Sequence, residues 1–263
     1  MEAIIQMKFT DTHTHLYADE FLPDLPQLIE TAAKEGVERF FMPNIDRESI
    51  ERMLLLEKTF SGKCMPMMGL HPTSVKDNWR DEMKIVEQWL AKRKFAAVGE
   101  MGIDLFWDKT FLEEQKLAFK EQVRLANEHK LPIVIHTRDS FDVVIELLME
   151  FKKEPPFGIF HCFTGNADQA QRVIDMGFYL GIGGVVTFKN GGLDKTLPEI
   201  GLANIVLETD APYLAPVPFR GKRNEPVYLV KIAEKIAEVL NIPLQEVANV
   251  TTRNANAVFN SVD

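Results

Sequence analysis

Asp11-Thr12-His13-Thr14-His15 stands at the end of the first apolar run of the chain, and its reading decides the fold. Alternate side chains of an extended strand face the same way, so His13 and His15 present two imidazoles on one face. Two such rings make half of a metal site, and the other half must come from elsewhere. Working outward, Glu100, His136, His161 and Asp210 each stand near the end of an apolar run of their own. Any one of them alone reads as a packed or surface residue. All six in a repeated context point to shared metal binding.

The runs that carry them are short and β-rich. Strands are expected at Lys8–His13, Val37–Pro43, Cys64–Leu70, Phe95–Glu100, Ile133–His136, Phe157–His161, Phe178–Gly183 and Ile205–Glu208. Stretches of helical period lie between them. Leu25-Leu28-Ile29-Ala32-Ala33 and Ile50-Met53-Leu54 repeat at three and four residues. In Phe111–Lys130, Leu112, Leu117-Ala118 and Leu125-Ala126 mark one buried face. Asp46 reads as an N-cap, Gly36 and Gly177 as helix stops, and Pro132 and Pro156 as breaks just ahead of strands. Strands alternating with helices imply a parallel sheet, and eight strands close into a (β/α)8 TIM barrel. An open doubly wound sheet is the rival. It would leave the first and last strands far apart, whereas His13, His15 and Asp210 come from those two strands and a shared metal requires them together. Arg223–Asn241 reads as the last barrel helix, and about 242–260 as an extra C-terminal helical stretch. No linker divides the chain, so residues 1–263 are expected to form one domain.

Composition bounds the function. An apolar content of 46% is enough for a large core, and no low-complexity tract breaks it. Met1–Lys8 shows no signal peptide, and no run approaches the ~20 apolar residues of a membrane span. A cytoplasmic protein without membrane attachment is expected. Cys64 and Cys162 are too few for a disulfide framework, and Cys162, facing away from a site-facing His161, is expected to be an inert buried thiol. The net charge of −9 weighs modestly against a general nucleic-acid binder, but metal ions and a few local cations can handle phosphate.

Four histidines and two carboxylates suit two divalent ions. A carboxylate bridges two metals and a neutral imidazole does not. The arrangement that follows has His13, His15, Glu100 and Asp210 on one metal and Glu100, His136 and His161 on the other. Each metal lowers the pKa of bound water from ~15.7 towards ~7, and Asp210 is placed to orient that water and take its proton. Imidazole favours Zn, carboxylate accepts Mg or Mn, and the mixed set leaves the metal open.

A longer ordered set of motifs now comes into view: Asp-Thr-His13-Thr-His15-Leu, Gly-Leu-His71-Pro, Val-Gly-Glu100-Met-Gly-Ile-Asp104, Pro-Ile-Val-Ile-His136, Phe-His161-Cys-Phe-Thr-Gly165, Glu208-Thr-Asp210-Ala-Pro-Tyr213 and Gly-Lys-Arg223-Asn224-Glu-Pro. Together they resemble the TatD family of metal-dependent hydrolases over nearly the whole chain. The resemblance implies a TIM-barrel hydrolase of the amidohydrolase type, usually assigned as a 3′ to 5′ deoxyribonuclease, with His13, His15, Glu100, His136, His161 and Asp210 as metal ligands, Glu100 and Asp210 at the catalytic centre, and DNA as substrate. Tyr17 departs from the pattern, since many members have Asp there. The resemblance also gives His71 a phosphate-binding role, against a packed rim histidine. Arg138 is expected either to hold phosphate as a fork donor or to pair locally with Asp139 or Asp142. Glu208, two residues before Asp210 on the same face, and Asp104 are expected to orient ligands. The basic loop Arg220-Gly-Lys222-Arg223 borders the expected mouth, where Arg223 would bind substrate. His129 receives no function beyond contact with a helix C-terminus. The same activated water attacks carbon as readily as phosphorus, so an ester or amide hydrolase such as a D-aminoacyl-tRNA deacylase is the alternative. A non-catalytic metal-stabilised protein is disfavoured by the candidate base Asp210. No obligate protein partner is evident.

Overall fold

The computed structural model describes residues 7–259, so residues 1–6 of the N-terminal reading and residue 260 of the expected C-terminal stretch lie outside the described residues. All eight expected strands are present: β1 (Phe9–Asp11), β2 (Val37–Met42), β3 (Cys64–Pro66), β4 (Val98–Asp104), β5 (Ile133–Arg138), β6 (Gly158–Phe160), β7 (Tyr179–Ile182) and β8 (Ile205–Leu207). A helix follows each: α1 (Leu25–Lys34), α2 (Ile50–Thr59), α3 (Trp79–Lys92), α4 (Leu112–His129), α5 (Phe141–Met149), α6 (Ala167–Asp175), α7 (Leu193–Ile200) and α8 (Leu229–Leu240), with α9 (Leu244–Phe259) beyond them. This is the (β/α)8 order. Strands such as Ile133-Val134-Ile135 and Ile205-Val206-Leu207 are buried at every residue, as strands covered on both faces require.

Two compact units share the chain. The first holds residues 7–40, 162–175 and 179–257. Within it β1 runs parallel to the start of β2, Phe9 opposite Val37 and Asp11 opposite Phe40. β7 runs parallel to β8, Leu180 opposite Ile205. The Thr12 N–H donates to the Leu207 carbonyl at 2.9 Å and ties the end of β1 to β8. α1 buries Leu25, Leu28, Ile29 and Ala32, the expected stripe, with Ala33 half-buried at its edge. It stops at Gly36, whose φ of +89° and lack of a Cβ matter: a Cβ there would sit 2.1 Å from the Met7 carbonyl oxygen.

The second unit holds residues 41–161, 176–178 and 258–259. Here β4 and β5 are parallel, as are β5 and β6, and Met68 just after β3 bridges to Val98. Three expectations are corrected. β4 does not end at Glu100; it runs on to Asp104. Its register against β5 slips between Val98 and Met101, a bulge that sets Gly99 and Glu100 out of the ladder and lets the strand continue. Gly102 then permits close approach to β5, where a Cβ would meet the His136 carbonyl oxygen at 2.0 Å. The buried face of α4 is also turned from the expected one. Ala118, Leu125 and Ala126 are buried as expected, but Leu117 is 47% exposed, and Gln115, Phe119, Gln122 and Val123 complete the buried stripe. The two glutamines belong inside because each has backbone to satisfy, as described below. Asp46 is not the N-cap of α2, which is Ser49; its Oδ1 accepts the N–H groups of Glu48 and Ser49 at 3.0 and 3.1 Å, one turn earlier.

Candidate functional site

The first unit brings together His13, His15 and Asp210. The Nε2 atoms of His13 and His15 are 3.3 Å apart, and Asp210 Oδ1 lies 3.8 Å and 3.5 Å from them. Donors arranged tetrahedrally about one ion at ~2.1 Å are ~3.4 Å from each other. The three edges therefore fit a single divalent ion, and the two-imidazole, one-carboxylate donor set suits one.

Asp11 builds this trio. It is buried at the end of β1, where Oδ1 accepts the Thr209 N–H at 2.9 Å and the His13 N–H at 3.3 Å, and Oδ2 lies 2.6 Å from the Thr209 hydroxyl. The segment after β1 is thereby stapled to the segment after β8. Backbone bonds finish the staple: Asp210 N–H to the His13 carbonyl at 2.9 Å and His15 N–H to the Ala211 carbonyl at 2.7 Å. Burial pushes the Asp11 carboxyl up to about 8, against the hydrogen bonds from Thr209 and His13. Asp210 adopts the left-handed region at φ 56°, and the buried Asn224 holds the turn around it by donating to the Thr209 and Tyr213 carbonyls, both at 2.7 Å. Tyr17 is buried with its hydroxyl 2.8 Å from His15 Nδ1. A proton on Nδ1 directed at the phenol oxygen leaves the Nε2 lone pair facing His13 and Asp210.

Arg223 and Cys162 of this unit differ from expectation, and Glu208 acts through the backbone. Arg223 does not stand clear as a substrate cation. Its guanidinium forks onto Asp24 at 2.9 and 2.6 Å, donates to the Glu20 carbonyl at 2.6 Å and reaches Glu225 at 3.2 Å, over the Phe21 ring. A planar donor array beside two carboxylates and a carbonyl is held there, tying the loop after β8 to the start of α1. Glu208 points its Oε1 at the Cys162 N–H, 2.6 Å away, and so anchors the residue after His161. Cys162 is half-buried, not buried, with φ 47° breaking the strand alternation that would have turned it inward. Cys64 is the buried thiol, pushed up to about 12 by that burial.

The second unit gathers Glu100, His136, His161, His71 and Asp104. Glu100 Oε1 is 2.9 Å from His136 Nδ1, 3.3 Å from His71 Nε2 and 3.7 Å from His161 Nε2. His136 Nε2 meets Asp104 Oδ2 at 2.9 Å. Burial works against a charged His136, but the bonds to Asp104 and Glu100 outweigh it and raise its pKa. Asp104 is likewise opposed by burial, yet His136 and the Phe106 and Trp107 N–H groups bring it down to about 2. His71 sits inside this cluster and not only at its rim: its ring is edge-on to His136 at 4.7 Å, and Nδ1 accepts the Thr73 N–H at 3.1 Å, leaving the Nε2 proton for Glu100. Arg138 stacks on the Phe106 ring, its guanidinium carbon 4.0 Å from the centroid, an arrangement the sequence did not indicate.

Residues with no chemical signature of their own position this cluster. Gln122 donates to the Leu70 carbonyl at 3.2 Å and accepts its N–H at 2.8 Å, fixing the backbone next to His71. Gln115 does the same for Asp104, at 2.9 Å to the N–H and 3.3 Å to the carbonyl. The Asn44 carbonyl accepts the Glu100 N–H at 3.2 Å. The two glutamines show only polarity at helical spacing, which reads as a wet face, and Asn44 only a polar residue in the loop after β2.

No helix of the described residues is long and apolar enough to cross a membrane. Residues 10–260 match the family described as TatD related DNase. A Bacillus subtilis protein named as the uncharacterized metal-dependent hydrolase YabD is 41% identical over 95% of this chain and 98% of its own. The Yersinia pseudotuberculosis 3′-5′ ssDNA/RNA exonuclease TatD is 31% identical over 96% of this chain and 99% of its own. Among solved structures, the TatD homologue YjjV of Escherichia coli superposes with a TM-score of 0.89 at 29% identity, over 97% of this chain and 99% of that one.

Proposed function

The chain belongs to the TatD family of metal-dependent hydrolases with its (β/α)8 TIM-barrel fold, and on that premise we propose that it is a deoxyribonuclease removing nucleotides from the 3′ ends of single-stranded DNA. The observation that carries this reading is the His13–His15–Asp210 trio. Its edges suit one ion, and the two imidazole side chains are 0% and 5% exposed while the carboxylate is 13% exposed. A donor set closed on the imidazole side and open beside the carboxylate is the pattern of a reactive metal site, not of a purely structural one.

His13, His15 and Asp210 would hold one divalent ion, and Glu100, His136 and His161 a second, with Mg, Mn and Zn all compatible with these donors. Such ions supply an acidified water and polarise a phosphoryl oxygen. The protein's own groups do the rest. Asp210 takes the proton of the attacking water, Tyr17 fixes the His15 ring, Asp104 fixes the His136 ring, and His71 holds Glu100 and meets the substrate. The name of the Yersinia relative favours a nucleic-acid substrate over the ester of an aminoacyl-tRNA.

The test is release of nucleotides from a 5′-labelled single strand with Mg, Mn or Zn, abolished by EDTA. Asp210→Asn should lower turnover ~10²–10⁴-fold, the usual loss for a general base, with the thermal stability of the metal-free protein unchanged. Intact DNA under all three metals, or amino acid released from intact aminoacyl-tRNA instead, would overturn the nuclease reading.

A further inference from the structure

β4 ends at Asp104, and the chain passes at once through Phe106 and Trp107, which are 51% and 68% exposed. Rings this exposed contribute little apolar burial to the fold. Neither is loosely attached. The N–H groups of both donate to Asp104 Oδ1, at 2.9 and 3.1 Å, while the other oxygen of that carboxylate holds His136. The rings meet edge to face with centroids 4.9 Å apart. Arg138, two residues beyond His136 on β5, covers them from one side, 4.0 Å from the Phe106 centroid and 5.4 Å from that of Trp107. Trp107 also lines a cleft of about 300 Å³ that contains Asp104, Thr73 and Lys76.

From this geometry we infer that Phe106, Trp107 and Arg138 form a stacking step for a nucleobase of single-stranded nucleic acid, placed by Asp104 at a fixed offset from His136; the inference rests on the nuclease reading above. Every base presents a π face, so an aromatic step accepts any sequence, as an enzyme that removes nucleotides one after another requires. Arg138 adds a cation already ordered by the ring beneath it, with its N–H fork available to the neighbouring phosphate.

Both rings are at the surface, so truncation should leave the fold intact. In the metal-loaded enzyme, Trp107→Ala should raise KM for single-stranded DNA on the order of tenfold, the effect of one lost base stack, with a smaller change in kcat. Trp107→Phe should restore most of it. A strand carrying tetrahydrofuran residues in place of the terminal nucleosides should show a similar rise with the unmodified enzyme and no further rise with Trp107→Ala. A phosphorothioate oligothymidylate should quench the fluorescence of the unmodified protein and not that of Trp107→Phe, because Trp79 is 7% exposed and Trp89 is half-buried. Cleavage of DNA with KM unchanged in Trp107→Ala, or effects of base removal and ring removal that simply multiply, would overturn the stacking step and leave the nuclease reading standing. No cleavage by the unmodified protein would overturn both.

Discussion

Gln122→Leu is the substitution in which the structure and ordinary sequence reading disagree most. A glutamine on a helix reads as a surface residue whose replacement by leucine is harmless or stabilising. Here the side chain is 1% exposed and satisfies both backbone groups of Leu70. Leucine fills the space and leaves a buried N–H and a buried C=O without it. Each orphaned group costs ~1–3 kcal/mol, so the loss should be about 2–6 kcal/mol, a large part of the ~5–15 kcal/mol of a typical domain. Urea unfolding followed by circular dichroism should show a lowered midpoint with unchanged slope. Gln122→Glu is the sharper probe. A carboxylate still accepts the Leu70 N–H but has no N–H for the carbonyl, whereas the protonated acid has one O–H to give it. Burial and that bond raise the folded pKa of the new group above its unfolded value of ~4.3. A raised folded pKa means stability fully present below the unfolded pKa and lost as pH rises through the folded one. The deficit of Gln122→Glu should therefore be smallest in acid and grow towards neutrality. A Gln122→Leu protein within ~0.5 kcal/mol of the parent, the range of ordinary surface changes, or a Gln122→Glu deficit independent of pH, would refute the bonding scheme.

Arg223→Gln should lower the melting temperature while leaving the salt dependence of KM for DNA unchanged, since the guanidinium is committed to Asp24. The Asp24 carboxyl is held below its usual range by Arg223, so this contribution is complete above the unfolded carboxylate pKa and fades as acid passes through the folded one; a shifted salt slope would return Arg223 to the substrate. Asp104→Ala should weaken one bound metal ~10–100-fold, the usual effect of removing the partner of a ligating histidine, read by calorimetric metal titration, and equal affinity would remove Asp104 from the site.

Much of the fold was legible because strands such as Ile133-Val134-Ile135 and Ile205-Val206-Leu207, buried on both faces, are written as unbroken apolar runs, and eight β-rich runs separated by helical stretches leave few architectures open. The candidate ligands were legible for a related reason: a histidine or carboxylate at the end of such a run is conspicuous. What stayed hidden is long-range or polar. Nothing near Gln122 in sequence names Leu70, and nothing near Arg223 names Asp24, which is far closer to the start of the chain. Glu100 reads as a strand end because a bulge leaves no residue signature beyond Gly99. Tyr17 stands out in the sequence only as a departure from the family pattern, because its contact is with His15, two residues away on a folded turn and not on a strand.

The polar residues that sequence reading passed over share one physical task. A chain leaving the end of a strand loses its ladder partners, so the N–H and C=O groups just past it must be satisfied by something else if they are buried. Around the first cluster Asp11 and Asn224 do this for Thr209, His13 and Tyr213. Around the second, Gln122, Gln115 and Asn44 do it for Leu70, Asp104 and Gly69. The backbone that carries the candidate ligands is thus held by protein groups and does not depend on the ions for its shape. Small zinc domains lack such a scaffold and unfold when their metal is removed. Here chelation should leave the far-ultraviolet circular dichroism and a cooperative melt in place, with the melting temperature lowered only by the lost binding energy, which follows the free metal concentration logarithmically. Collapse of the fold in EDTA would show that the ions, and not these buried amides and carboxyls, set the geometry of the site.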